Sequence, residues 1–234
     1  ALEFLPGKVL TTGGTVLPKK IIVATHFPIL NKHGGYFIKL YQQRAYVLAL
    51  EGAPDVKGMY LDEQAGGLSL RNHQGLLLLG GSSHRTGKPG SWEALEAFAQ
   101  QNFPQARIAA KWATQDCMSL DSMPYIGQYA KSTPNLYVAT GFSKWGMTSS
   151  MAAAALLTGL VSGKESRYSH VFQPSRGMLC PQLAVNGWEA VVGLLTPTIP
   201  RCPHMGCALK YNAAEHSWDC PCHGSRFDFQ GRLL

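Results

Sequence analysis

Two short segments of this 234-residue chain concentrate side chains able to hold a metal: Cys202-Pro203-His204-Met205-Gly206-Cys207 and Cys220-Pro221-Cys222-His223-Gly224-Ser225. As a pattern they are C-x-H, a gap of fifteen residues, then C-x-x-H. Thiolate and imidazole are soft or borderline donors, and two such pairs so close together point to a metal centre. Zinc is one candidate. Structural zinc sites, however, tend to pair like with like, C-x₂₋₄-C and H-x₃₋₅-H. Here each segment offers one cysteine and one histidine, a division that suits a two-iron cluster with cysteines on one iron and histidines on the other. Cys207 and Cys222 are left over within the segments, and Cys117 and Cys180 stand alone.

CPHMGC and CPCHGS together resemble the two cluster-binding loops of Rieske [2Fe–2S] proteins. The resemblance implies that Cys202 and Cys220 bind one iron and His204 and His223 the other. It also implies a disulfide between Cys207 and Cys222, and a hydrogen bond from Ser225 to a cluster sulfur. Neutral imidazoles in place of two thiolates ease electron uptake, raising the potential to about −150 to +300 mV against about −400 mV for plant-type ferredoxins. Cys202 follows Leu195 by only seven positions. The Rieske part is therefore expected to be small and truncated.

Three upstream segments resemble FAD-dependent oxidoreductases of the D-amino-acid oxidase and glycine oxidase family. They are Lys20-Ile21-Ile22-Val23-Ala24-Thr25-His26, Asp121-Ser122-Met123-Pro124-Tyr125-Ile126-Gly127, and the stretch from Asn135 to Thr148, which contains Gly141-Phe142-Ser143-Lys144-Trp145-Gly146-Met147-Thr148. The resemblance implies FAD contacts at Thr25, Gly141, Phe142, Lys144, Trp145, Gly146, Met147 and Thr148. Glycines allow backbone to approach a planar ring, and a helix starting at Met147 points unpaired N–H groups back at the loop. Such donors stabilise a reduced flavin. Catalytic residues are not legible: Arg44 and Tyr46 lie where family members often place substrate contacts, and an arginine there either pairs a carboxylate or is an exposed strand residue. His26, which stands where the family usually has glycine, and His84 and Arg85 are equally undecided. The family's opening βαβ unit with G-x-G-x-x-G has no counterpart, since Thr12-Gly13-Gly14-Thr15 and Leu79-Gly80-Gly81-Ser82 do not fit it. The chain is expected to be a fragment whose upstream part is missing and which alone holds FAD poorly.

The elements that must position these residues follow from pattern. Residues 9–16, with Gly13-Gly14 between β-prone runs, predict a hairpin, and 21–24 a buried strand. Residues 36–50 read as one long or two short strands. Short strands at 58–61, 68–70 and 76–79 follow, separated by turns at Gly66-Gly67 and 72–75. Ser91 is the expected cap of a helix whose Leu95, Phe98 and Ala99 share a face and which Pro104 ends; Glu93 and Glu96 favour its start. A strand at 135–139, a loop at 141–146, a helix at 147–160 and a helical candidate at 181–195 complete the reading.

These elements define an α+β fold: a mixed, largely antiparallel sheet with helices, followed by a small β-rich Rieske domain. The expected division is 1–170 (partial FAD-dependent oxidoreductase), 171–195 (linker with a short helix) and 196–234 (partial Rieske domain). Hydrophobic residues make up 45% and charged residues 15%, which excludes disorder and coiled coil. The net charge of +7 is spread without a basic–aromatic track, so no nucleic-acid partner is expected. No apolar run is long enough to span a bilayer. The expected activity is flavin-dependent oxidation of a small amine or amino-acid-like substrate, with electrons passing to the cluster and then to an external acceptor, in the cytoplasm. A non-catalytic electron-transfer or redox-sensing module and a zinc-stabilised binding module are the alternatives.

Overall fold

The computed structural model describes residues 3–5, 7–30, 33–64 and 67–234. In chain order, β1 (Glu3–Leu5), β2 (Lys8–Thr11) and β3 (Gly14–Val16) form an antiparallel meander, and β4 (Ile21–Val23) follows. One helical turn, α1 (Tyr36–Lys39), leads into β5 (Leu40–Glu51), then β6 (Met59–Leu61), β7 (Ser69–His73) and β8 (Leu76–Arg85). Helix α2 (Glu93–Asn102) precedes the long β9 (Arg107–Ser119). After β10 (Tyr125–Gln128) and β11 (Leu136–Thr140) come α3 (Gly146–Val161), α4 (Ser169–Phe172) and α5 (Pro181–Leu195). Three short strands, β12 (Lys210–Asn212), β13 (Ser217–Asp219) and β14 (Arg226–Phe227), form an antiparallel sheet in that order. The architecture is α+β with largely antiparallel pairing, as the sequence predicted.

The described chain forms two compact units, one of residues up to Tyr41 with Cys117–Gly187, the other of Gln42–Asp116 with Trp188–Leu234. In the first, β11 lies between β10 and β4, antiparallel to the former and parallel to the latter, with Val138 opposite Val23. Neighbouring residues of a strand face opposite sides. Accordingly Val138 joins a core with Tyr36, Leu40, Tyr125 and Tyr129, while Ala139 joins Ala153, Leu156 and Leu157 of α3.

In the second unit the sheet order is β6-β7-β8-β5-β9. Leu48 and Leu50 of β5 and Leu77 and Leu79 of β8 pack under Leu95 and Ala99 of α2. This is the apolar face the sequence assigned to that helix. Along β5, burial alternates with period two from Leu40 to Tyr46, so Gln42, Arg44 and Tyr46 share one buried face.

Several expectations need correction. Residues 36–39 make a helical turn rather than strand. Ser91 does not cap α2; Trp92 holds that position and gives no side-chain cap bond. Strand β9 and helix α4 were not foreseen. The expected turn at Gly66-Gly67 falls partly on Gly66, outside the described residues.

Candidate metal centre and flavin-facing loop

The two Cys/His segments fold on one plan. In the first, Cys202 N donates to Cys207 O (2.8 Å) and Gly206 N to Cys202 O (2.9 Å). In the second, Cys220 N donates to Ser225 O (2.8 Å) and Gly224 N to Cys220 O (2.9 Å). Both turns place their fifth residue at positive φ, 73° for Gly206 and 79° for Gly224. This is the left-handed region that favours glycine, so the glycines of CPHMGC and CPCHGS are backbone requirements.

The folded loops pair the two expected histidines with each other and the two expected cysteines with each other. His204 Nδ1 and His223 Nδ1 lie 3.2 Å apart, their rings at 80°. For metal–nitrogen bonds of about 2.1 Å that separation corresponds to an angle of roughly 100° at one shared ion. The sulfurs of Cys207, Cys220 and Cys222 lie within 4.8 Å of one another, and the side chains of Cys202 and Cys220 share a hydrogen bond. All four cysteines are buried, as is His223, whereas His204 is exposed. The backbone N–H of His204 donates to the Cys202 sulfur and that of His223 to the Cys220 sulfur; the Ser225 side chain also bonds to Cys202. The donor set of two imidazoles and four clustered sulfurs fits a Rieske cluster.

The thiols perturb one another. Hydrogen bonding with Cys220, then with Cys222, pulls Cys207 down to about 4, and hydrogen bonding with Cys202 lowers Cys220. The proton-holding partners, Cys202 and Cys222, are pushed up, by those same bonds first and by burial as well. Cys207 and Cys222 are both free thiols here, so the disulfide expected between them is not formed in this structure.

The second loop is held by a polar contact from β9 and packs closely on neighbouring residues that the sequence reading missed. Gln115 Nε2 donates to Gly224 O (3.0 Å), and Thr86 N donates to Gln42 O (3.0 Å). A Cβ at Gly87 would stand 2.6 Å from Pro221 Cβ, and one at Gly193 would stand 3.2 Å from Cys222 Sγ. Arg44 does pair a carboxylate, but one belonging to the protein itself. It is 4% exposed, donates from Nε to Glu215 Oε1 (3.0 Å) and pairs through Nη2 with Glu215 Oε2. Arg226 completes the network on Glu215 Oε2 (2.7 Å) and Asp219 Oδ1 (3.1 Å). Tyr46, the other candidate substrate contact, is fully buried and stacks on Trp92 at 4.3 Å. His84 packs against Tyr46 at 5.4 Å, with Nδ1 3.1 Å from Ser82 O.

In the first unit, parallel pairing brings the ends of β4 and β11 side by side. Beyond them lies a pocket of about 220 Å³ lined by Ala24, His26, Ala139, Thr140, Gly141 and Phe142. Thr140 Oγ1 donates to the His26 carbonyl, tying the two strand ends, while Thr25 Oγ1 turns to Phe27 O (2.9 Å). Gly141 has φ 69°, and a Cβ there would meet Leu40 Cδ2 and Ser119 Cβ at 3.1 Å. Gly146 opens α3, and a Cβ there would meet nothing within 4 Å. No side chain caps α3, leaving N–H groups of its first turn without intrahelical acceptors. Lys144, Trp145, Met147 and Thr148 are exposed around it. An open glycine face and free donors beside the mouth of parallel strands fit a flavin. Of the pocket lining, Gly141 and Phe142 were expected and His26 was considered; Ala24, Ala139 and Thr140 were missed, carrying no signal beyond flanking Thr25 and Gly141.

Comparison with known proteins agrees with both halves. The family model for FAD dependent oxidoreductases matches residues 4–160, and that for the Rieske [2Fe–2S] domain matches residues 190–234. A putative Rieske 2Fe-2S iron-sulfur protein, YhfW of Bacillus subtilis, is 34% identical, over 92% of this chain and 52% of its own length. The cytochrome b6-f complex iron-sulfur subunit 1 of Nicotiana tabacum is 52% identical over 33 residues, 14% of each chain. Glycine oxidase from Geobacillus kaustophilus shares the fold with a TM-score of 0.59 at 21% identity, over 73% of this chain and 49% of that one. L-Proline dehydrogenase from P. horikoshii has the same TM-score at 20% identity, over 73% and 50%. The chain thus spans about half the length, or less, of the relatives it matches. Among its described helices none is long and apolar enough to cross a membrane. With the matched segment covering most of the chain, the protein belongs to the family of FAD dependent oxidoreductases and carries a Rieske [2Fe–2S] domain in residues 190–234.

Proposed function

We propose that the protein oxidises a small amine or amino-acid-like substrate at a flavin and delivers the electrons through a Rieske cluster to an external acceptor. Bound FAD supplies two-electron oxidation, and a [2Fe–2S] cluster supplies one-electron steps. The residues do the rest. Cys202 and Cys220 hold one iron, His204 and His223 the other, and the Ser225 hydroxyl steadies the sulfur side. Cys207 and Cys222 close as a disulfide under oxidising conditions. Thr25, Gly141, Phe142, Lys144, Trp145, Gly146, Met147 and Thr148 would hold the flavin, and the α3 amide groups would stabilise negative charge on it. Residues 1–170 serve as the oxidoreductase part, 171–195 as the linker and 196–234 as the cluster part. A cytoplasmic location belongs to the same reading, and cell fractionation tests it.

The observation that carries the proposal is the pair of Nδ1 atoms 3.2 Å apart, one from each Cys/His loop, on a chain whose larger part matches the FAD dependent oxidoreductase family. The test uses the intact protein, purified anaerobically and offered a panel of amines. Bleaching of the flavin absorption followed by the EPR signal of a reduced cluster supports it. Flavin bleaching without cluster reduction overturns the electron route. Three sulfurs within 4.8 Å also favour a second reading, a zinc site. Metal analysis giving zinc without iron or acid-labile sulfide selects that reading.

A further inference from the structure

One polar side chain beside the cluster loop has a burial that its neighbours leave unexplained. Gln42 is 1% exposed, yet neither Oε1 nor Nε2 has a hydrogen-bond partner among the described residues. An unsatisfied buried amide costs stability, and a strand position facing inward is ordinarily apolar. Gln42 therefore stands out on β5, two residues before Arg44, on the face that carries the Glu215 ion pair.

Its location is specific. A Cβ on Gly224 would lie 2.9 Å from Gln42 Cβ, closer still to Gln42 Cγ, and 2.7 Å from Gln115 Nε2. Gly224 directly follows His223, itself 8% exposed, and precedes Ser225. Gln115 is already committed, donating from Nε2 to Gly224 O, with Oε1 3.4 Å from Thr86 Oγ1. Gln42 is the uncommitted member of this bed, and a carboxamide can donate or accept as the charge beside it changes.

We propose that Gln42 is a positioning residue of the cluster centre, holding the His223–Gly224 stretch from the sheet side and giving its spare amide N–H to the reduced state. The sheet of the oxidoreductase part then helps set the potential of the Rieske centre. This rests on the reading that Cys202, His204, Cys220 and His223 hold a [2Fe–2S] cluster. Reduction adds one negative charge to the centre. A nearby neutral donor stabilises that charge, and its removal disfavours electron uptake.

The test is an EPR-monitored redox titration of the intact, iron-loaded protein and of Gln42→Met and Gln42→Glu. Gln42→Met keeps the length and removes both polar atoms. Its reduced-to-oxidised ratio at fixed poise is expected to fall about fivefold, the size of one net hydrogen bond. Gln42→Glu is expected to fall further, since it sets a carboxylate beside an anionic centre. Unchanged ratios and unchanged EPR line shape at equal iron content overturn the proposal. Should neither variant load iron, ¹⁵N-glutamine labelling of the unsubstituted protein decides. A weak hyperfine coupling additional to the two histidine nitrogens, lost on unlabelling, supports it, and no such coupling overturns it. Absence of iron and sulfide from the unsubstituted protein instead defeats the cluster reading itself.

Discussion

Arg44 of β5 and Glu215 of the β12–β13 turn form a two-point, buried ion pair. Glu215 also accepts from Arg226, which reaches Asp219, so two cations and two anions close a compact network. Asn212 Nδ2 serves both carboxylates, at 3.1 Å and 3.0 Å. A buried pair of this kind adds little net stability over an apolar substitute, but breaking it strands a charge. Its value lies in orientation, since a guanidinium fork accepts a carboxylate in few geometries.

Arg44→Met is therefore expected to destabilise the protein by about 1.5–3 kcal/mol, because Glu215 loses its two-point partner and keeps only Arg226 and Asn212. Arg44→Met combined with Glu215→Leu is expected to recover part of that loss. Urea unfolding of the single and double variants measures it. Additive losses would show that the pair is not coupled.

The two cluster loops share a hydrogen-bond plan but differ in what surrounds their glycines. A Cβ at Gly206 meets nothing within 4 Å, whereas one at Gly224 collides with Gln42 and Gln115. Gly206→Ala is expected to incur only the left-handed backbone cost, about 1–2 kcal/mol. Gly224→Ala adds overpacking, about 1–3 kcal/mol more, and is expected to lose most bound iron. Iron content and thermal melts of the two variants check the asymmetry.

Asp121 opens the D-x-x-P-x-I-G segment and is gripped by Arg176, Nε to Oδ2 and Nη2 to Oδ1, both at 2.7 Å. Burial alone would raise its pKa; the hydrogen bonds and charge of Arg176 outweigh that and hold the carboxyl below its ordinary value. A carboxyl depressed on folding adds stability above its unfolded pKa, and that stability is lost as pH falls through the folded value. Asp121→Asn is thus expected to melt below the unsubstituted protein at pH 7. The gap should narrow as pH drops below about 4. A gap that widens on acidification would contradict the assignment.

How much of this was legible differs by region. The residues proposed as cluster ligands stood out because ligation fixes residue type and short spacing, and the glycines of both loops proved to be at positive φ. Helices α2 and α5 were legible from periodicity and composition. Strand β9 was not: residues 107–112 are exposed on both faces, so no period-two pattern exists to read. Arg44 was left undecided and Gln42 passed over because the residues they meet, Glu215 and Gly224, lie more than 170 residues away. A polar residue on a strand's buried face is uninterpretable until the element packed against it is known. Ser91 failed as a cap because the chain enters α2 one residue later, at Trp92, whose indole donates instead to Ala214 O (3.3 Å).

Gly141 and Gly146 bracket the loop proposed to face the flavin, and only one is required by the fold. Gly141→Ala meets both a positive φ and close neighbours, so it is expected to destabilise the protein whether or not FAD is bound. Gly146 has open space at its Cβ position and begins a sixteen-residue helix. Replacing glycine there with alanine favours the helix, by up to about 1 kcal/mol. If the isoalloxazine approaches that open face, the added methyl group stands in its way. Gly146→Ala is therefore expected to raise the melting temperature of FAD-free protein while weakening FAD binding at least tenfold. Calorimetric titration of the intact protein with FAD measures the second effect, and melting of the FAD-free form the first. Undiminished FAD affinity would move the flavin away from Gly146 and leave the α3 amide groups without the anionic partner assigned to them.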